Sequence, residues 1–224
     1  MKRICVLVTC LMLLAGTAHA ELVAGWDMYG QPGDQVSTPG YGAGYVTVAD
    51  MVRGAGLTAV SGSNSFNSSG WLGSYDDDYI EFGFSVATGY AVTLDELWIG
   101  TRSSGTGPGT IGVYTSLDGY TDPVDTIVQN NTDYSNSIID LACLGEITGD
   151  FSVRLYEVGD LQADGSGATT NSGTFRIADY YDGGYIDTHF EGAVSPVPVP
   201  GALWLAGSAL VSIVGLRRKQ TRVS

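Results

Sequence analysis

Between Glu21 and Ser195 the chain has no lysine and only four arginines, Arg53, Arg102, Arg154 and Arg176, against all 24 of its aspartates and glutamates. The net charge of this region is −20. Such a surface repels polyanions, so nucleic-acid binding is excluded and solubility or divalent cations are favoured. Cysteine is nearly absent too: Cys5, Cys10 and Cys143 are the whole complement, and the first two lie in the N-terminal apolar run. One remaining thiol allows no internal disulfide, so about 175 residues must be held by a core, for which that length is ample. In "SIIDLACLG" Cys143 alternates with Ile139 and Leu141, which reads as a small buried apolar residue. His189 is the one histidine of this region, too few for a zinc site. No Gly-x-Ser-x-Gly elbow accompanies it, so a hydrolase triad has no anchor and a structural role is expected. "SSGTGPG" has neither lysine nor a following helix, so it is a hairpin loop and not a phosphate cradle.

Long apolar runs are missing from the middle and present at both ends. "MKRICVLVTCLMLLAGTAHA" has Lys2 and Arg3, an apolar stretch from Ile4 to Gly16, and the small-x-small site Ala18-His19-Ala20. That is a secretory signal peptide, residues 1–20, cleaved after Ala20. At the other end, residues 201–216 carry no charge and Arg217, Arg218 and Lys219 follow. As a helix they cover about 24 Å. That suffices for a core of about 30 Å once Val197 and Val199 are added and the arginines snorkel. The cations place the C-terminus in the cytoplasm and residues 21–195 outside.

What remains is β. "DYIEFGFSV" puts Ile80, Phe82, Phe84 and Val86 on one face and Tyr79, Glu81, Gly83 and Ser85 on the other. "YAVTLDELWIGTR" changes parity once near Asp95-Glu96, which calls for a turn or bulge. "GTIGVYTS" and "DFSVRLYEV" continue the pattern, and "TFRIADYY" with "YIDTHFEGAV" reads as a closing hairpin around Asp182-Gly183-Gly184. No window carries a helical stripe, and 32 glycines interrupt the strands at short intervals. The expected fold is all-β, an antiparallel β-sandwich of jelly-roll type spanning residues 21–195.

Pro198 and Pro200, the hydrophobic segment 201–216 and the basic stop Arg217-Arg218-Lys219 together resemble a PEP-CTERM sorting signal, here residues 196–224. Val199 stands where that family has its glutamate. The resemblance implies export by the Sec machinery and transient tethering in the inner membrane. It further implies cleavage by an exosortase and delivery to the surface or exopolysaccharide matrix of a Gram-negative bacterium. Residues 70–122 also resemble a β-sandwich domain found in exported proteins that carry this same tail, a likeness that brings no activity with it.

The candidate sites are few. Asp76-Asp77-Asp78 is the densest anionic cluster and offers hard oxygen ligands for calcium, although a solvated turn explains it more simply. Tyr180, Tyr181, Asp182 and Tyr185 form an aromatic, acidic turn whose rings suit the faces of sugars, or else cover a sheet edge. Paired carboxylates for glycoside hydrolysis carry no weight in a chain so rich in acids. The expectation is a non-enzymatic surface or matrix protein acting in adhesion or biofilm. Its alternatives are a carbohydrate-binding module, with or without calcium, and, behind that, a glycoside-active enzyme.

Overall fold

The computed structural model describes residues 20–72, 77–130 and 133–197. The signal-peptide and sorting-tail expectations, including Pro198, Pro200, Arg217, Arg218 and Lys219, lie outside the described residues, as does Asp76. Among the described residues no helix is long and apolar enough to cross a membrane. Among the described residues the fold is all-β: the helical turns there are the 3-10 segments Ser116–Asp118 and Ala142–Leu144, and every strand pairing but one is antiparallel.

Two large sheets form. The ten-stranded sheet is built on Tyr90–Ser103, a strand of 14 residues that pairs along both edges. One edge takes Ser135–Asp140 and Glu146–Ile147. The other takes Thr188–Pro196 and then Thr174–Ala178. The parity change expected near Asp95-Glu96 is a bulge between Leu94 and Glu96, which lets the apolar residues on both sides of it face the core. Glu21–Trp26 pairs with Thr188–Pro196, and Ser65–Ser69 with Thr174–Ala178. The seven-stranded sheet runs Pro123–Val128, Thr110–Thr115, Asp150–Glu157, Tyr79–Val86, Met51–Arg53 and Ser37–Thr38, with Val46–Val48 also on Tyr79–Val86.

The alternation read in the sequence becomes the core. Ile80, Phe82, Phe84 and Val86 are buried, as are Ile111, Val113, Phe151, Val153 and Leu155. Rings from the two sheets meet: Phe82 lies 5.0 Å from Trp26 and 5.8 Å from Phe190, and Phe84 5.9 Å from Phe190. The buried indole N–H of Trp26 donates to the Ala49 carbonyl at 2.9 Å, so burying it leaves no polar group unsatisfied.

Three local expectations are corrected. Thr174–Ala178 and Thr188–Pro196 are not partners in a hairpin; each pairs with the same edge of Tyr90–Ser103. Only the two-residue strands Tyr180–Tyr181 and Tyr185–Ile186 between them form a hairpin. "SSGTGPG" is not a hairpin loop, because Ser103 ends a strand of one sheet and Thr110 begins a strand of the other. Cys143 is exposed, since the alternation stops at Asp140 and a 3-10 turn rotates the thiol outward.

Candidate functional site

The register defines an unusual segment. Ala178 faces Gly100 and His189 faces Trp98, so two steps along one strand match eleven along the other. Residues 179–187 are therefore an excursion from an otherwise continuous edge. It is closed by the small hairpin, whose turn is fixed by Gly183 at φ +67° and by the Asp182 N–H donating to the Gly184 carbonyl at 3.0 Å. Asn136, on the neighbouring strand, clamps it: its amide donates to the Tyr181 carbonyl and its Oδ1 accepts the Tyr181 N–H at 3.1 Å.

The excursion walls a pocket of about 270 Å³. Tyr181, Tyr185 and Tyr134 supply rings, Ser63, Asn64 and Asn136 supply hydrogen-bonding groups, and Ala178 and Asp179 complete it. Tyr181, Tyr185, Tyr134 and the adjacent Tyr29 are each more than half exposed, and Tyr29 and Tyr185 lie 6.2 Å apart. Asn64 reaches the site from a left-handed turn at φ +53°, its Oδ1 accepting the Gly30 N–H at 2.8 Å. Tyr180 turns away, half-buried with its ring 4.9 Å from Trp98, and Asp182 is exposed at the turn and outside the pocket wall. Of the tyrosine turn, then, the structure brings Tyr181 and Tyr185 together with residues from two other segments, Ser63 with Asn64 and Tyr134 with Asn136.

At the root of the excursion stand three carboxylates, Asp27, Asp179 and Asp187, each with an oxygen within 4.8 Å of the others. Asp179 is buried and accepts the Met28 N–H at 2.9 Å. Burial pushes its pKa up to about 6, with Asp187 and Asp27 adding to the rise and the Met28 bond opposing it. Asp187 accepts the Tyr41 hydroxyl, and burial together with that bond holds the phenol proton on well above its ordinary range. The Tyr41 ring crosses Gly25, where a Cβ would lie 2.8 Å from Cζ. These contacts tie the excursion's ends to the strands Glu21–Trp26 and Gly40–Gly42, the second of which is the sheet's edge. His189, also at this root, is buried between the Asp187 carbonyl at 2.6 Å and Glu191 at 3.4 Å, against Trp98.

Asp77 and Asp78 sit elsewhere. Asp77 is exposed and Asp78 buried, and both bring a carboxylate oxygen against Gly56. A second groove, about 380 Å³, crosses the outer face of the seven-stranded sheet. Its polar groups already engage one another: Arg154 pairs with Glu81, Ser85 donates to Asp150, and Tyr120 and Ser152 share a bond of 2.6 Å. The smaller pocket keeps its three tyrosine rings turned to solvent, so it is the better candidate.

Tyr134, Asn64, Asn136, Asp27, Asp179 and Asp187 carry no sequence signal that groups them, because they are joined only by strand pairing across the sheet. Compared with protein-family models, with curated proteins and with solved structures, the chain matches none.

Proposed function

We propose that this chain is an exported, non-enzymatic protein of a bacterial surface or exopolysaccharide matrix, built as a jelly-roll β-sandwich that binds carbohydrate in its tyrosine-walled pocket. The observation that carries the reading is the pocket itself. Three rings exposed to solvent offer apolar faces for stacking, and the Ser63 hydroxyl and the Asn64 NH2 beside them offer polar groups for sugar hydroxyls.

Position also supports it. The pocket adjoins Thr188, where the last strand begins, and that strand ends at Pro196, roughly 26 Å further on. If residues 196–224 act as the tether that they resemble, the pocket lies at the end of that strand remote from it. The partners in this reading are the Sec machinery, an exosortase and the matrix polysaccharide, and it needs no cofactor.

A glycan panel tests the binding, using wild type, Tyr181→Ala and Tyr185→Ala with and without EDTA. Selective binding that falls about tenfold or more in each variant is expected, roughly the loss of one stacking ring. Binding that survives EDTA assigns recognition to the side chains alone; binding lost with EDTA would bring in the Asp27, Asp179 and Asp187 group. No binding by wild type would refute the pocket reading. For delivery, the intact mass of protein recovered from culture medium should correspond to a chain ending near Pro200.

A further inference from the structure

Four arginines serve the whole acidic body, and two of them are placed where a sheet should not tolerate them. Arg154 pairs with Glu81, and Arg53 donates to the carbonyls of Gly33, Gln35 and Asn67. Arg102 and Arg176 face each other directly in the antiparallel pairing of Tyr90–Ser103 with Thr174–Ala178. Their neighbours Thr101, Ser103, Phe175 and Ile177 are buried, so both arginines point to the outer face, where they are half-buried. Among the described residues neither guanidinium donates a hydrogen bond or meets a carboxylate. Like charges directly opposite in a sheet are destabilising, and 24 carboxylates were available as partners. Two adjacent guanidinium groups with uncommitted N–H groups are matched by an anion.

Their place in the register joins them to the pocket. Gly100 faces both Asn136 and Ala178, and those two residues belong to the pocket wall. Arg102 and Arg176 lie two residues further along the same strands and on the same face, about 7 Å away. Arg102 lies over the ring of Tyr134, itself a pocket residue, at 5.1 Å. Gly62 leaves room for the other cation: a Cβ there would lie 3.2 Å from Arg176 Nη1. The site is thus polarised, with Asp179 at one end and two cations at the other.

We propose that Arg102 and Arg176 form an anion subsite of the pocket, so that its ligand is an acidic saccharide. A sugar ring stacks on Tyr181 or Tyr185 while a carboxylate or sulfate group is held by the arginines. Asp179 sets the direction, because it repels the anionic group from its own end. The proposal rests on the carbohydrate reading above.

Matched probes test it. Polygalacturonate and alginate oligosaccharides are compared with their carboxyl-reduced forms, and chondroitin sulfate oligosaccharides with their desulfated forms. The proteins are full-length wild type, Arg102→Gln, Arg176→Gln and the double variant. Wild type is expected to bind at least one acidic member about tenfold or more tightly than its neutralised partner, a ratio in line with a charge-assisted hydrogen bond. The pair that responds distinguishes carboxylate from sulfate. Each single variant should lose about tenfold on the acidic member and nothing on the neutral one. Equal binding of acidic and neutral members, or an unchanged double variant, overturns the subsite and leaves the carbohydrate reading standing. Failure of every probe overturns both. Ligand-free Arg176→Gln supplies an independent readout: its melting temperature should match or exceed that of wild type, because like-charge repulsion is relieved. A clear drop would assign the pair a structural role and overturn the proposal.

Discussion

Replacing Glu157 by glutamine should make the protein more stable at pH 8 and leave it unchanged at pH 4. Glu157 ends the strand Asp150–Glu157, is 3 % exposed, and its carboxylate accepts the Thr169 hydroxyl. Burial pushes its pKa from 4.5 up to about 7; the Thr169 bond opposes the rise, and Asp160 and Asp78 add to it. The sign follows from proton counting. Below about pH 4 the acid is protonated whether the chain is folded or not, so no penalty exists. Between 4.5 and 7 the unfolded chain ionises first and binds fewer protons, so stability falls as pH rises. Above about 7 the penalty is constant, at about 3 kcal/mol from 1.36 kcal/mol per pKa unit. Glutamine keeps an acceptor for Thr169 and removes the charge. Urea unfolding of Glu157→Gln against wild type at the two pH values measures the difference. A gain of about 2–3 kcal/mol at pH 8 is expected, with less than about 0.5 kcal/mol at pH 4. A variant less stable than wild type at pH 8 would refute the reasoning, because the buried carboxylate would then be a net stabilising group. Asp179, raised to about 6 by burial, titrates in an overlapping window, so part of the wild-type slope should persist in the variant.

Three further outcomes are expected. Arg53→Ala removes the fork that joins Gly33, Gln35, Asn67 and Ser68, and should cost about 3 kcal/mol in thermal melts. Arg53→Lys should restore little, since an ammonium cannot reproduce that planar geometry; full rescue would contradict this account. Gly83→Ala puts a Cβ 2.1 Å from the Phe151 carbonyl oxygen between two central strands, and should lose about 3 kcal/mol or more, a result that wild-type-like melting would refute. The Cys143 thiol should react with a disulfide reagent in the native state as fast as in denaturant, and protection until unfolding would overturn its exposed placement.

The alternation in residues 79–86 and 150–155 was enough to pick out the core-facing side chains, because in an extended strand successive residues take opposite faces, whereas Tyr156 and Glu157 are both buried and escape that rule. The same rule located the bulge at Leu94/Glu96 from a change of parity alone. It failed at Cys143, where a 3-10 turn replaced the strand period, and at "SSGTGPG", where local composition marks a turn without saying which sheets it joins. The tyrosine turn was visible as a cluster in sequence, yet only Tyr181 and Tyr185 of it face the pocket, because a two-residue strand sends Tyr180 to the other side.

By itself, then, the order of residues determined the class of structure, the apolar faces and the acidic character of the surface, all of which are local or additive properties of the chain. Tertiary structure alone decided which distant residues share a site. Asn64, Tyr134, Asp179 and Tyr185 meet around one pocket, and Arg102 comes to face Arg176, through long-range pairings between the strands of the larger sheet. Register between strands far apart in sequence depends on the whole core packing at once, and no short window of residues contains it.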